Sequence, residues 1–387
     1  MSDDTQHKPE EGAPEPQEKK GQLNEIVEKE AVAAKTVEES DANLIAVPCD
    51  SIPLNLPLPC SVYIRVADKF PVFRKQGDKL DSKRMIALSQ KGASSLFIHK
   101  AVWNLFLASL DHTSISKDAP REVVASQLRG IIIAYATELE RKIKQPKRPI
   151  FDKLEALSES LAASIKKDPA ISTYLLRKSN EPLDYFVNHA VNCAVYSTVI
   201  ASKLNFSWND LKEVTYCALL HDLGELFHPK TLLYKRSDLT KEEREEMQLH
   251  PRRGAEVLQT MGCSPAVVLT ALQHHERMDG KGYPQGIELK DVHINARIVA
   301  IADTYDALTS HKPYQAAISP QAAIEKMKTL AGKFDPNILG VVTGTATEGE
   351  SFSKGVAENS QNYAGSAESP APAPAPTEAE GTKKTAA

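Results

Sequence analysis

The sequence predicts a mainly α protein: an all-helical bundle preceded by a small N-terminal α+β domain and flanked by disordered tails. Three observations carry this. From Leu183 to about Val342 nearly every apolar run has helical periodicity, with few strand signals. Between Val47 and Asp111 the pattern is different: Val62, Ile64 and Val66 alternate with Tyr63 and Arg65, then Val72-Phe73 and Leu96-Phe97-Ile98 follow, separated by turn signals at Gly77-Asp78 and Gly92. The two ends are different again. Met1 to about Leu44 has no aromatic residue, and after Thr343 the chain turns to Ser, Glu, Ala and alternating Pro-Ala. Such compositions bury too little apolar surface to offset the entropy of ordering.

The organisation predicted is a tail over 1–45, an α+β domain over 46–115, linking helices over 116–180, a helical domain over 181–343 and a low-complexity tail over 344–387. In the linking segment the helical spacing is clearest at Leu154, Leu157, Leu161 and Ile165, and Pro146 and Pro149 interrupt it. That heptad-like spacing suits packing within the chain and also pairing with a second copy. Arg141-Lys142, Lys144 and Lys147-Arg148 place five positive charges in eight residues, a pattern usual for a solvated linker. Further on, Thr240 to Glu243 is a capping box that starts a polar-faced helix, predicted to run to His250 before Pro251 limits it.

Composition excludes several classes of function. Of the 387 residues, 41% are apolar and 25% charged, and the net charge is −4, which selects no polyanionic partner. Nucleic-acid binding would need basic patches interleaved with aromatics, and none is found. Cys49, Cys60, Cys193, Cys217 and Cys263 are odd in number, lack CxxC spacing and read as reduced thiols. With neither a secretory signal nor an apolar span, the expected location is the cytoplasm.

The chemistry falls in the helical segment. His274-His275-Glu276-Arg277-Met278-Asp279-Gly280-Lys281-Gly282-Tyr283-Pro284 joins adjacent histidines to a glycine-rich turn, which suits metal ligation better than core or surface. On a helix neighbouring residues diverge by about 100°, so two such histidines serve one ion only where the backbone unwinds. His221-Asp222 follows an apolar helix, and a carboxylate beside an imidazole can bridge two cations; an N-cap aspartate next to a surface histidine is the ordinary alternative. His189 lies in a buried-helix pattern, where a hydrogen-bonded core histidine is the commoner reading of that residue alone. His250 stands at a helix boundary. Asp303 and Asp306 lie one turn apart on an apolar helix, and Asp306 reads as the structural, paired acid.

These motifs resemble one family. His221-Asp222, the His250-Pro251-x-x-Gly254 element, the stretch from His274 to Pro284, Arg297 with Ala302 through Ser310, and Phe334-Asp335-Pro336 agree in order and spacing with the HD-GYP family. This is a bacterial branch of the HD superfamily of metal-dependent phosphohydrolases. The resemblance covers about residues 183 to 342, and Ser61 to Leu110 also resembles a small domain found ahead of such modules. It implies hydrolysis of cyclic di-GMP to pGpG and/or GMP through a metal-bridging hydroxide, with two divalent ions, Fe or Mn. The implied metal ligands are His189, His221, Asp222 and Asp303 for one ion, with Asp222 bridging to a second held by His250, His274 and His275. Tyr283, Arg277, Arg252 and Lys312 are the implied substrate contacts.

This chain departs from the family at three places. Glu225 stands where a lysine usually follows His-Asp-x-Gly, reversing a charge expected to act in catalysis on the scissile phosphate. Tyr185 replaces the glutamate of three-metal members, favouring two metals. His311-Lys312-Pro313-Tyr314-Gln315 keeps one of two basic residues. Three readings follow: an active cyclic di-GMP phosphodiesterase, a catalytically impaired sensor or scaffold, and a hydrolase of another cyclic dinucleotide or phosphoester. A homodimer or a signalling partner is compatible with each.

Overall fold

Four short strands build one antiparallel sheet of order β1-β4-β2-β3: β1 (Leu44–Pro48), β2 (Val62–Tyr63), β3 (Val72–Arg74) and β4 (Ser95–His99). In this computed structural model the described residues are 43–344, apart from 50–51, 53–55, 82–83, 86, 89–92, 94, 111–114, 116–118, 177–184 and 311–315. The predicted tails therefore lie outside the described residues, except that β1 begins at Leu44, inside the span assigned to the first tail. Leu96 and Ile98 of β4 are fully buried while Ser95, Phe97 and His99 are not, the period-two pattern of a sheet with one covered face. The alternation read through Val66 does not stay in a strand. After Tyr63 the chain continues as an isolated Val66–Lys69 bridge around Ala67, whose φ is 53°.

Helix α1 (Trp103–Ser109) follows the sheet, and α2 (Arg121–Lys142) packs on β1. Trp103 is fixed to α2 by its indole N–H, which donates to Glu138 Oε2 at 2.6 Å. Arg141 and Lys142 also pair with this buried carboxylate, so part of the basic run is a counter-charge for Glu138. In α3 (Arg148–Lys167) Pro149 occupies the first turn, where its missing N–H costs nothing. Leu154, Leu157, Leu161 and Ile165 are buried within the chain, each contributing about 1.5–3 kcal/mol relative to exposure. The heptad-like face is thus consumed by α5 (Tyr185–Lys203) and α6 (Trp208–Leu220), after the short α4 (Ser172–Leu175).

The remaining helices are α7 (Lys230–Leu233), α8 (Lys241–Met247), α9 (His250–Thr260), α10 (Pro265–Gln273), α11 (Ile294–Thr309), α12 (Pro320–Thr329) and α13 (Pro336–Thr343). The capping box at Thr240 and Glu243 is present, but its helix stops at Met247. Pro251 does not limit a helix. It sits in the first turn of the next one, which makes His250 the opening residue of α9. One apolar core runs from the sheet through α6 and α10, and a second joins α5, α11, α12 and α13.

Candidate metal centre

Five helices deliver the motif residues to one place by presenting an end or a face. His221 is the C-cap of α6, and Asp222 starts the 3-10 turn Leu223–Phe227. A Cβ on Gly224 would lie 1.9 Å from His250 O, so only glycine lets this turn touch the start of α9; Gly254 faces it. The helix α10 ends at Gln273, His274 is its C-cap, and the backbone unwinds at His275 as a shared site for adjacent histidines requires. His189 comes from α5, and Asp303 and Asp306 from α11.

Asp222 is the hub. Its Oδ2 lies 3.3 Å from His189 Nε2 and 3.2 Å from His221 Nε2, while Oδ1 lies 3.4 Å from His250 Nε2 and 3.1 Å from His274 Nε2. Asp303 Oδ1 is 3.3 Å from His189 Nε2. Donor atoms of Asp222, His250, His274 and His275 lie within 4.8 Å of one another, and so do those of His189, Cys193 and His221. Burial pushes the Cys193 thiol up to about 12, so it stays protonated there.

The tautomers decide what this cluster can hold. His221 Nδ1 lies 2.8 Å from Ala218 O, His250 Nδ1 2.8 Å from Met247 O, and His274 Nδ1 2.9 Å from Ala271 O. A carbonyl only accepts, so each Nδ1 carries a proton and each neutral ring turns an Nε2 lone pair on Asp222. His250 Nε2 and His274 Nε2 are 3.3 Å apart. Lone pairs that close repel unless a proton or a cation lies between them. His221 Nε2 and Asp222 Oδ1 are buried and complete no hydrogen bond. A set of nitrogen and carboxylate donors facing inward in this way fits divalent cations.

Electrostatics agree with a cage short of positive charge. Burial opposes the charged form of Asp222, but His221, His189 and His250 outweigh it and hold the carboxyl well below the usual range. Burial likewise opposes protonation of His221 and His250, yet Asp222 lifts both. Burial wins at His274 and more strongly at His275.

A second layer fixes the first. Asp306 Oδ2 lies 2.7 Å from His189 Nδ1, and Asp306 Oδ1 accepts from Asn192 Nδ2 and Ser310 Oγ, each at 2.9 Å. Arg129, 1% exposed on α2, donates to Asn192 Oδ1 at 3.1 Å, Asn188 Oδ1 at 2.5 Å and Leu175 O at 2.7 Å. A continuous hydrogen-bonded path therefore joins the linking helix to His189. Glu276, buried beside the paired histidines, accepts from the backbone N–H of Gln285, Gly286 and Ile287 and so folds the glycine-rich turn back on itself. Gly282 is required there, since a Cβ would meet Glu276 Cα at 2.4 Å.

The residues read as substrate contacts divide. Tyr283 stacks on His275 with centroids 4.7 Å apart, half-buried at the edge of the cluster. Arg277 is committed to a two-pronged pair with Asp279, at 2.9 and 2.6 Å. Arg252 is exposed on α9, about 200° around the helix from the inward-facing His250. Lys312 lies outside the described residues. Glu225 is near enough to raise the His250 imidazole and the Tyr283 phenol, which burial also pushes up.

A model of the HD domain family matches residues 150–338. Over this segment the chain is similar to the HD domain family. The match starts within the span read as linking helices and takes in most of α3, which packs on α5 and α6. The chain is 34% identical over 188 residues to a cyclic di-GMP phosphodiesterase of Pseudomonas aeruginosa, covering 47% of this chain and 44% of that one. It is 38% identical over 146 residues to a cyclic di-GMP phosphodiesterase response regulator of Xanthomonas campestris, covering 36% and 38%. A 3'3'-cGAMP-specific phosphodiesterase of Vibrio cholerae is 33% identical over 144 residues, covering 37% and 31%. The chain thus spans less than half the length of these relatives. A solved HDG"Y"P protein from Bdellovibrio bacteriovorus superposes with a TM-score of 0.62 at 19% identity, covering 78% of this chain and 99% of that one. That likeness concerns the fold and takes in much of the chain beyond residues 150–338. Among the described residues no helix is long and apolar enough to cross a membrane.

Proposed function

We propose that this protein is a metal-dependent phosphodiesterase that hydrolyses cyclic di-GMP to pGpG and/or GMP. The supporting observation is Asp222, whose two oxygens face four imidazole Nε2 atoms. His189, His221, Asp222 and Asp303 would hold one divalent ion, and Asp222, His250, His274 and His275 a second, with Fe or Mn suited to this nitrogen and carboxylate set. Such ions, when bound, supply an activated water and neutralise charge developing on the phosphate.

The chain's own residues do the rest. Carbonyl partners hold the Nδ1 protons of His221, His250 and His274, which keeps each Nε2 a lone-pair donor. Asp306 does the same for His189. Deep burial of Asp222 and the four rings keeps bulk water from competing with the reacting groups. Tyr283, stacked on His275, offers an aromatic face for a base.

Protein loaded anaerobically with Fe or Mn should turn over cyclic di-GMP, and Asp222→Ala should abolish the reaction and metal uptake together. The cGAMP-specific relative makes 3'3'-cGAMP the comparison substrate; faster turnover of it would reassign the substrate within the same class. Cyclic di-GMP binding without turnover would make the protein a sensor or scaffold and overturn the proposal.

A further inference from the structure

Lys333 closes a 3-10 turn just before Phe334. Its backbone is pinned on every side. Phe334 is buried in the second core, and Asp335 caps α13 by accepting from Asn337 N at 2.9 Å. Asp335 also pairs with Arg297, the contact measuring 3.4 Å. The Lys333 N–H donates to Leu330 O at 2.8 Å, and its carbonyl accepts from Met278 N at 3.2 Å, inside the motif that carries His274 and His275. The position of this residue is therefore set by the two segments that build the metal centre.

The side chain runs toward α11. Lys333 Nζ lies 3.4 Å from Thr304 Oγ1, one residue beyond Asp303, and 5.3 Å from the Phe334 ring centroid. Among the described residues no carboxylate lies within 4.0 Å of it. Burial holds this ammonium below the usual lysine range, with Asp303 pulling it back up and Arg277 pushing it down. A partly buried cation without a paired carboxylate is costly unless an anion arrives to complete it. The alternatives are spent elsewhere: Arg277 is held by Asp279, Arg252 points to solvent, and Glu225 adds negative charge on the His250 side.

We propose that Lys333 is a substrate-contacting residue, its ammonium taking a non-bridging oxygen of the phosphodiester on the Asp303 side of the centre. This rests on the phosphodiesterase reading and adds to it a named cationic partner for the phosphate. Asp303 attracts this ammonium from within the cluster, and an incoming phosphate oxygen would give it a charged hydrogen-bond partner.

Wild type, Lys333→Met, Lys333→Gln and Lys333→Arg, each loaded with manganese, are compared by Mn(II) affinity, by calorimetric binding of inorganic phosphate, and by cyclic di-GMP turnover. Lys333→Met and Lys333→Gln should keep Mn(II) affinity within about twofold and bind phosphate about 10–100-fold more weakly, the range for a lost charge-assisted hydrogen bond. Lys333→Arg should recover most of that loss. Lys333→Gln keeps a polar end that can reach Thr304, so it separates loss of charge from loss of fold. Phosphate affinity unchanged in both neutral variants overturns the assignment, and so does a wild type that binds no phosphate. A parallel loss of Mn(II) affinity also overturns it, because the residue would then act through the metal site. Wild type that binds phosphate through Lys333 but leaves cyclic di-GMP intact overturns the proposed function and leaves this inference standing.

Discussion

Asp306 Oδ2 lies 2.7 Å from His189 Nδ1, and the same carboxylate is held by Asn192 and Ser310. The carboxylate fixes the ring's tautomer and makes its Nε2 a stronger donor toward the space shared with Asp222 and Asp303. Asp306→Ala should weaken metal binding about 10–100-fold, as expected when the orienting partner of a ligating histidine is lost. Asp306→Asn keeps an acceptor for the Nδ1 proton and should lose less. Metal titration of both variants checks this, and an affinity equal to wild type in Asp306→Ala would remove His189 from the proposed centre.

Gly224 sits where backbone meets backbone. A Cβ there would stand 1.9 Å from His250 O and 2.7 Å from Gly254 N, and neither atom is the end of a flexible side chain. Gly224→Ala should therefore force α9 away from the 3-10 turn, costing about 1–3 kcal/mol or more and carrying His250 away from Asp222. Gly254→Ala, whose Cβ meets Gly224 N at 3.1 Å, should be milder. Thermal unfolding and metal content together test the order, and a Gly224→Ala protein matching wild type in both would refute the close-approach argument.

Residue chemistry made most of the histidine and aspartate cluster legible, because His221-Asp222, His274-His275 and Asp303 are expensive to bury for any ordinary reason. The partners that hold them were not legible. Arg129 reaches Asn192 across 63 residues of sequence, and no local spacing announces such a contact. Asn188 and Asn192 did carry a signal, as amides four apart on an otherwise apolar helix beside His189. Glu276 was in plain view within the motif, but its job is to gather backbone N–H groups, which side-chain patterns do not encode. Pro251 shows the limit of a local rule: proline ends a helix when it falls inside and starts one when it falls in the first turn, and only the break after Met247 decides which.

Glu225 places a carboxylate where it acts on both His250 and Tyr283. Repulsion of a phosphate at partly screened range is about 1 kcal/mol, roughly fivefold in affinity. Glu225→Gln should raise kcat/KM for cyclic di-GMP by about that factor, and Glu225→Lys by more. Steady-state rates on the manganese form measure it. Equal rates in wild type and both variants would show that this charge does not limit the reaction.

His293 gives the fold a pH dependence separable from the histidine and aspartate cluster. It is 3% exposed at the start of α11, where Nδ1 accepts from Asn295 N at 3.2 Å, and burial with nearby Arg297 lowers its pKa to about 4. Unfolded, the ring titrates near 6.5. Between these values the unfolded chain binds the proton and the folded chain does not, so stability rises with pH across the window and is lost as pH falls through it. A depression of this size corresponds to about 3 kcal/mol, fully present above pH ~6.5 and gone below pH ~4. His293→Asn keeps a side-chain acceptor for the Asn295 N–H and removes the titration. Denaturant unfolding of the metal-free proteins should show wild type losing about 3 kcal/mol relative to the variant on going from pH 6.5 to 4, while titration of the shared cluster cancels in the difference. A constant difference across that range would mean the His293 ring is protonated in the folded protein, contrary to its burial beside Arg297.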